Sequence, residues 1–373
     1  MFTSGSAGRP KGVTVCHSSV VSLIQATDYL FNEPETDAWT LFHSYAFDLS
    51  VWEVWACLLR GSRLIIVPDW MTRSPAAFYE LLCSERVTVL NQTPSALRQL
   101  IGAREESESH TGILRHELAL RLLFCVGEAL PGELARRSLD WNVPVWNLYG
   151  PTEATVWASI ERVGPEDALS AIVPIGQPLA NTSIYLLDGC QELSPRGALG
   201  ELCIGGLGVA RGYLNQQDLT AERFIPDALS FDPGGRVYRT GDLARRRDEK
   251  IEYLGRIDHQ VKIRGYRVEA GEIESLLARH PSIRECIVTA AESRPGESQL
   301  AAYLVYEPGQ SPTVAELRSY LQKQLPDHMI PSAFTKLDAM PLTRNGKIDR
   351  KSLPAPDRPG TGSRNEADAP RTF

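Results

Sequence analysis

Between Arg63 and Gly150, short aliphatic runs alternate with stretches whose apolar residues recur at helical spacing. Arg63–Val67, Val87–Leu90 and Leu122–Val126 read as short buried strands, with Phe78–Glu85 and Ser95–Gly102 as helices between them. Parallel strands need a crossover that a helix supplies, so this alternation predicts an α/β core with a parallel sheet. The pattern changes from Ser183 to Tyr253. There Ile184–Leu187, Glu201–Ile204 and Glu252–Leu254 are short strand-like runs between Gly and Pro turns, which predicts a small barrel or distorted sheet. After Asp258, Ile273, Leu276 and Leu277 form one helical stripe, and Ile287–Val288 and Ala301–Val305 read as strands. Thr313 and Glu316 carry capping-box spacing at the start of another helix, which Pro326 ends. From Pro354 the chain turns to Pro, Gly, Ser and charge without periodicity and reads as a linker. The expected organisation is a large α/β core of several subdomains over 1–257, a small α+β domain over 258–355 and a linker over 356–373.

Composition narrows the function classes more than it adds to the fold. With 373 residues, 43% hydrophobic and 23% charged, the chain is long enough for a large core or two domains. Its net charge is −7 and no Lys/Arg block stands out, so a nucleic-acid partner is not expected. Aliphatic runs such as Leu64–Val67 are far too short to span a bilayer, and no stretch resembles a signal peptide. The seven cysteines are dispersed, with no CxxC pair and no clustered His. That argues for reduced thiols in a cytoplasmic protein, each a small buried apolar residue, rather than a disulfide frame or a zinc site.

Three segments hold candidate chemistry. Thr3–Gly12 is rich in Ser, Thr and Gly and carries Lys11, the ingredients of a phosphate cradle: glycines admit backbone amides, hydroxyls donate, and the ammonium supplies charge. It is not a Walker loop, because Gly12 follows Lys11 where that motif needs Ser or Thr. Asn147–Glu153 offers an aromatic face for a base, a hydroxyl for a phosphate and a carboxylate for Mg²⁺. In Tyr238–Leu243, Asp242 could accept hydrogen bonds from ribose hydroxyls. Alone, each segment also fits a solvated turn or a turn with a capping acid.

Their order along the chain is more specific. After the Ser/Thr/Gly loop come Phe47-Asp48-Leu49-Ser50, the Asn-Leu-Tyr-Gly-Pro-Thr-Glu run from Asn147, Gly200–Gly206 with Ala210–Leu214, and Tyr238–Leu243. Gly255–Arg267, Leu325–Pro331 and Asn345–Arg350 complete the set. The set resembles the adenylate-forming, AMP-binding superfamily and, within it, the adenylation domains of nonribosomal peptide synthetases, from Phe2 to about Pro356. The resemblance implies a partial adenylate-forming core followed by a small mobile domain. It also implies a two-step reaction: an amino-acid carboxylate attacks the α-phosphate of ATP, and the acyl group then passes to a phosphopantetheine thiol on a downstream peptidyl carrier domain. By the same resemblance Thr3, Ser4, Ser6 and Lys11 would hold the β- and γ-phosphates, Thr152 the α-phosphate, and Glu153 the Mg²⁺. Tyr149 would stack on adenine, with Asn147 and the Gly127–Glu128 turn at its edge, and Asp242 would bind ribose with Arg256 nearby. Lys347 would bridge carboxylate and phosphate oxygens, and Asp258 would be the hinge.

Asp48 matches the family's partner for a substrate α-ammonium, which favours an α-amino acid over acids that lack the charge. The side-chain pocket implied by distance from the motifs is Asp48, Leu49, Trp52, Asn91, Phe124, Val126, Leu148, Val156 and Trp157, closed by Lys347. Two tryptophans and a phenylalanine leave room for a small side chain, and no further charge faces it, so a charged side chain is disfavoured. The set is similar to pockets that activate cysteine, the first expectation, with alanine, serine or threonine behind it.

Two departures from the family stand out. Ala7 occupies a position that usually holds Thr, removing a hydroxyl worth about 1.5–3 kcal/mol of phosphate or transition-state binding. The family also carries a substantial segment before the phosphate loop, so the chain reads as an amino-terminally truncated fragment, expected to be poorly stable or aggregation-prone by itself. Two other readings remain: a catalytically silent nucleotide-binding remnant, and an acyl- or aryl-CoA ligase.

Overall fold

The computed structural model describes residues 1–3, 10–32, 34–111, 118–230, 233–257, 260–263, 266–294, 297–341 and 352–356. The chain divides into two compact units, the first taking the described residues of Met1–Thr3 and Pro10–Asp258, the second chiefly those of Arg267–Phe373.

In the first unit, the strand Leu122–Val126 is buried throughout, and its side chains alternate between two hydrophobic clusters. Leu122, Phe124 and Val126 join one cluster, Leu123 and Cys125 the other. Successive strand residues point to opposite faces, so an unbroken apolar run is what a strand covered on both faces requires. Helices His17–Ala26 and Leu49–Leu59 supply Leu23, Ile24, Trp52 and Ala56 to the first cluster. Helices Pro75–Ser84, Pro94–Thr111 and Gly132–Leu139 supply Leu82, Leu97, Leu100 and Leu134 to the second.

Among the described residues this sheet has seven strands, ordered Arg63–Ile66, Ala38–Leu41, Val89–Gln92, Leu122–Val126, Val145–Tyr149, Ser159–Arg162 and Gln177–Pro178. The first five are mutually parallel, and the last two are added antiparallel. The expected parallel α/β core is therefore present, with two corrections. Arg63–Ile66, expected to be buried, is the edge strand, and its Ile66 is 73% exposed. Helix Pro94–Thr111 runs well past Gly102, because the added turns are polar and carry no apolar stripe to read.

A second sheet follows, antiparallel and five-stranded among the described residues: Thr182–Leu187, Leu199–Gly206, Arg236–Arg247, Phe224–Pro226 and Lys250–Arg256. The Tyr238–Leu243 motif, compatible with a turn by composition, lies inside the Arg236–Arg247 strand. The turn-like signal has a local cause. Glu201 pairs with Leu243 and Cys203 with Arg239, so Thr240, Gly241 and Asp242 bulge opposite the single residue Leu202. Gly241 takes φ 73°, a conformation that a residue with a Cβ resists.

In the second unit, helix Ala270–Leu277 buries Ile273, Leu276 and Leu277. Strands Ile283–Arg294 and Glu297–Tyr306 are antiparallel, and Ala333–Lys336 joins the latter in parallel. Thr313 and Glu316 form the expected capping box on helix Val314–Gln322. This is the small α+β domain that the sequence pattern predicts.

Candidate active site

The site of the first unit is built where parallel strands end. Ala38–Leu41 leads through a short loop to Asp48, and Val145–Tyr149 leads through Gly150 and Pro151 to the 3-10 turn Thr152–Ala154. Loops beyond the carboxyl ends of such strands are the usual ligand crevice of an open α/β sheet. Asp48 precedes helix Leu49–Leu59 with φ −61° and ψ −23°, and its side chain caps nothing. Its Oδ2 instead accepts a 2.5 Å hydrogen bond from Thr152 Oγ1, across 104 residues of chain.

Glu153 follows, fully buried. Its Oε1 accepts from the Tyr213 hydroxyl at 2.7 Å and lies 3.5 Å from Lys11 Nζ. Lys11 itself sits on the short strand Lys11–Gly12, paired with Phe2–Thr3, and is buried rather than displayed on a solvated loop. Its ammonium also lies 4.8 Å from the centre of the Tyr213 ring. Burial, then the charge of Glu153, push the Tyr213 phenol far above its ordinary value. Thr3 Oγ1 is buried with no hydrogen-bond partner among the described residues.

The bulge of the second sheet delivers Asp242. Its carboxylate, almost wholly buried, accepts from Tyr149 Oη at 2.5 Å on Oδ2 and from Arg256 Nη1 at 2.5 Å on Oδ1. The bulge is held by side chains: Thr240 Oγ1 donates to Leu202 O and accepts from Asp242 N, and Glu201 Oε1 accepts from Gly241 N. Burial first, then Asp242's charge, raise the Tyr149 phenol well above the usual range. Asn147 is buried behind them, its amide donating to the carbonyls of Val173 and Pro174. Gly127 takes φ 90°, and the adjoining Glu128 accepts from the Ser95 amide and hydroxyl.

The pocket residues come together. Leu49, Trp52, Phe124, Val126, Leu148, Val156 and Trp157 belong to one cluster. Ring centroids lie 4.3 Å apart for Trp52 and Trp157, and 5.6 Å for Phe124 and Trp157. Asn91 lies beside Phe124 in the sheet register, with 0% exposure and no hydrogen-bond partner for either amide atom among the described residues. The indole N–H groups of Trp52 and Trp157 are also buried with no acceptor among the described residues. Ser4, Ser6, Ala7, Asp258 and Lys347 lie outside the described residues.

Among the described residues, no group of three or more His, Cys, Asp or Glu could hold a metal ion. The buried Glu153 carboxylate would supply an oxygen donor to a Mg²⁺. All seven cysteines are free, and burial pushes the Cys125 and Cys203 thiols up to about 12. No helix among the described residues is long and apolar enough to cross a membrane. Sequence reasoning missed Tyr213, Thr240, His43 and Glu53. For Glu53 a signal existed, a lone carboxylate in the otherwise uncharged helix Leu49–Leu59, which demands a partner once that helix is buried.

Known proteins resemble this chain in sequence and in fold. The family model for AMP-binding enzymes matches residues 1–214, and that for the AMP-binding enzyme C-terminal domain matches 272–347. A dimodular nonribosomal peptide synthase of Bacillus subtilis is 49% identical over 366 residues, covering 96% of this chain but 15% of its own length. Tyrocidine synthase 1 of Brevibacillus parabrevis is 42% identical over 374 residues, covering all of this chain and 33% of its own. The chain thus spans a small part of these relatives. Among solved structures, the Vibrio cholerae adenylation domain AlmE, in complex with glycyl-adenosine-5'-phosphate, superposes with a TM-score of 0.80 at 29% identity. That match covers 93% of this chain and 64% of AlmE. With its larger unit matched over residues 1–214 and its smaller one over 272–347, the chain belongs to the AMP-binding enzyme family.

Proposed function

We propose that the chain activates a small α-amino acid with ATP as an aminoacyl-adenylate, for transfer to the phosphopantetheine thiol of a carrier domain. The observation that carries this reading is the bond between Asp48 and Thr152. An α-amino acid has its ammonium and carboxylate on one carbon. A carboxylate that holds the ammonium must therefore stand beside the group that holds the α-phosphate, and these two side chains touch. Fatty and aryl acids give Asp48 nothing to pair with.

In the first half-reaction a substrate carboxylate oxygen bonds to the α-phosphorus, and the bond to the bridging oxygen of pyrophosphate breaks. In the second, the carrier thiol attacks the acyl carbon and AMP leaves. No protein nucleophile is needed, so positioning and charge neutralisation supply the rate. Asp48 takes the ammonium, which releases the single Thr152 hydroxyl proton to donate to the α-phosphate. Lys11, with Thr3 beside it in the strand pair, faces the outer phosphates, and Asp242 with Arg256 takes the ribose. Mg²⁺ bound at Glu153 would neutralise phosphate charge. Tyr149 lines the adenine side, backed by Asn147 and the Gly127–Glu128 turn. Support for an amino-acid substrate also comes from AlmE, whose structure holds glycyl-adenosine-5'-phosphate, and support for a carrier partner from PA1221, which contains adenylation and PCP domains. PA1221 is 28% identical to this chain with a TM-score of 0.78.

Among amino acids the pocket favours a small, uncharged side chain able to meet Asn91, with cysteine first and serine, threonine and alanine as competitors. The test is pyrophosphate release with ATP, Mg²⁺ and each common amino acid, beside Lys347→Ala and Asp48→Ala. Release that depends on a small amino acid and disappears in both variants is expected. Release with acids lacking an α-amine that survives Asp48→Ala would establish an acyl-CoA-ligase type of substrate instead. Nucleotide binding without any amino-acid-dependent release would mark a silent remnant.

A further inference from the structure

We propose that His43 and Glu53 form a positioning pair that fixes Asp48, a role that rests on reading Asp48 as the partner of the substrate ammonium. Glu53 is wholly buried on helix Leu49–Leu59. A carboxylate there is costly unless its oxygens are bonded. Both are, and both to the same residue. Oε1 accepts from His43 Nδ1 at 2.8 Å, and Oε2 accepts from the His43 backbone N–H at 3.1 Å.

This fork joins two points that bracket Asp48. His43 stands two residues beyond strand Ala38–Leu41, and Glu53 is the fifth residue of the helix that Asp48 precedes. Residues 44–48 therefore leave and return to one fixed point. Within this segment Tyr45 is 95% exposed, Phe47 N–H donates to Ser44 O, and Ser50 Oγ donates to Phe47 O; the longer-range contacts are those of Phe47 with the Tyr266 ring and of Asp48 with Thr152. The Phe47 ring packs 5.5 Å from the His43 imidazole, so the pair also seats the residue immediately before Asp48. Asp48 is then free of capping duty and turned to Thr152.

The other ring nitrogen, Nε2, is buried with no hydrogen-bond partner among the described residues. Every described hydrogen bond of the His43 side chain is thus the one to Glu53. An asparagine, whose amide nitrogen can fall near the place of Nδ1, should do the same work.

The experiment compares His43→Leu and His43→Asn in the full chain, measuring KM for the amino acid and for ATP separately in the pyrophosphate-release assay. A charge displaced by about 1 Å can cost up to ~100-fold, so His43→Leu should raise the amino-acid KM roughly tenfold or more. Its ATP KM should stay within about twofold, because uniform damage would move both. His43→Asn should recover most of the loss. Equal rises in both constants, no change in the amino-acid KM, or no recovery in His43→Asn would each overturn the proposal. Wild-type chain silent with every amino acid would refute the adenylation reading instead. Amide hydrogen exchange then decides the pair on its own. Protection lost at Ala46 and Phe47 but kept in helix Leu49–Leu59 supports it, whereas loss throughout the unit, or none, overturns it.

Discussion

The Tyr149 hydroxyl donates to Asp242 Oδ2 at 2.5 Å while Arg256 donates to Oδ1, so the carboxylate proposed for ribose is already held on both oxygens. An ionised carboxylate offers about four lone-pair positions, and two remain for ribose hydroxyls. Holding and binding are therefore compatible. The bond is charge-assisted and buried, so Tyr149→Phe should lower unfolding stability by about 1.5–3 kcal/mol. Urea unfolding of the two proteins measures it. If the ribose uses the open positions, the ATP KM of Tyr149→Phe changes far less than the stability does. An unchanged urea midpoint would show that Asp242 does not depend on Tyr149.

The pocket role proposed for Asn91 implies a trade of stability for recognition. A buried donor or acceptor left without a partner costs about 1–3 kcal/mol, and neither amide atom of Asn91 has a partner among the described residues. Valine suits a strand position and removes both groups. Asn91→Val should therefore be as stable as the parent or more so in urea, while its amino-acid profile shifts toward alanine or valine. A destabilised variant with an unchanged profile would mean that Asn91 is satisfied within the protein and reads no substrate.

Both the legible and the illegible parts of this structure have physical causes. Leu122–Val126 could be read residue by residue, because covering both faces of a strand leaves an unbroken apolar run. Arg63–Ile66 carries the same kind of run yet ends up at the sheet edge, since periodicity reports a strand's own faces and not its neighbours. Asp242 was legible as chemistry and not as structure: glycine in a bulge and glycine in a turn look alike along the chain. The residues proposed for the site are recognised through the order of the motifs. Their contacts are not, because Asp48 and Thr152 meet only where two strands end, and Tyr149 and Asp242 only where a strand end meets the bulge of the second sheet. Tyr213 escaped for the same reason, being a tyrosine whose role appears only against Glu153.

Two of the tyrosines with raised phenols set an alkaline limit. Tyr149 and Tyr213 are both held neutral, first by burial and then by Asp242 and Glu153 respectively. In the unfolded chain each ionises near the ordinary value of 10.0. Above that pH the unfolded state binds fewer protons than the folded one, so stability must fall as pH rises. Below it the contribution is fully present. Urea midpoints should thus be flat in this respect up to about pH 9.5 and decline beyond 10, more steeply in the parent than in Tyr149→Phe. Parallel declines in the two proteins would remove Tyr149 from the account.

Lys11 links the fold most directly to the proposed phosphate chemistry. Its ammonium is buried against an equally buried Glu153, and the same carboxylate oxygen takes the Tyr213 hydroxyl. Removing one member of such a pair leaves a charge in a poorly solvating place, which typically costs about 3–5 kcal/mol. Lys11→Met keeps the length of the side chain and its contact with the Tyr213 ring, so the loss is that of the charge. The expected result is a marked drop in urea midpoint together with loss of pyrophosphate release. Adding Glu153→Gln to Lys11→Met removes the uncompensated charge, so the double variant should regain much of the stability while remaining inactive. This separates the two roles of the pair. If the double variant is no more stable than Lys11→Met, packing and not charge governs the cost. If Lys11→Met still releases pyrophosphate at the parent rate, the phosphates are neutralised by other groups.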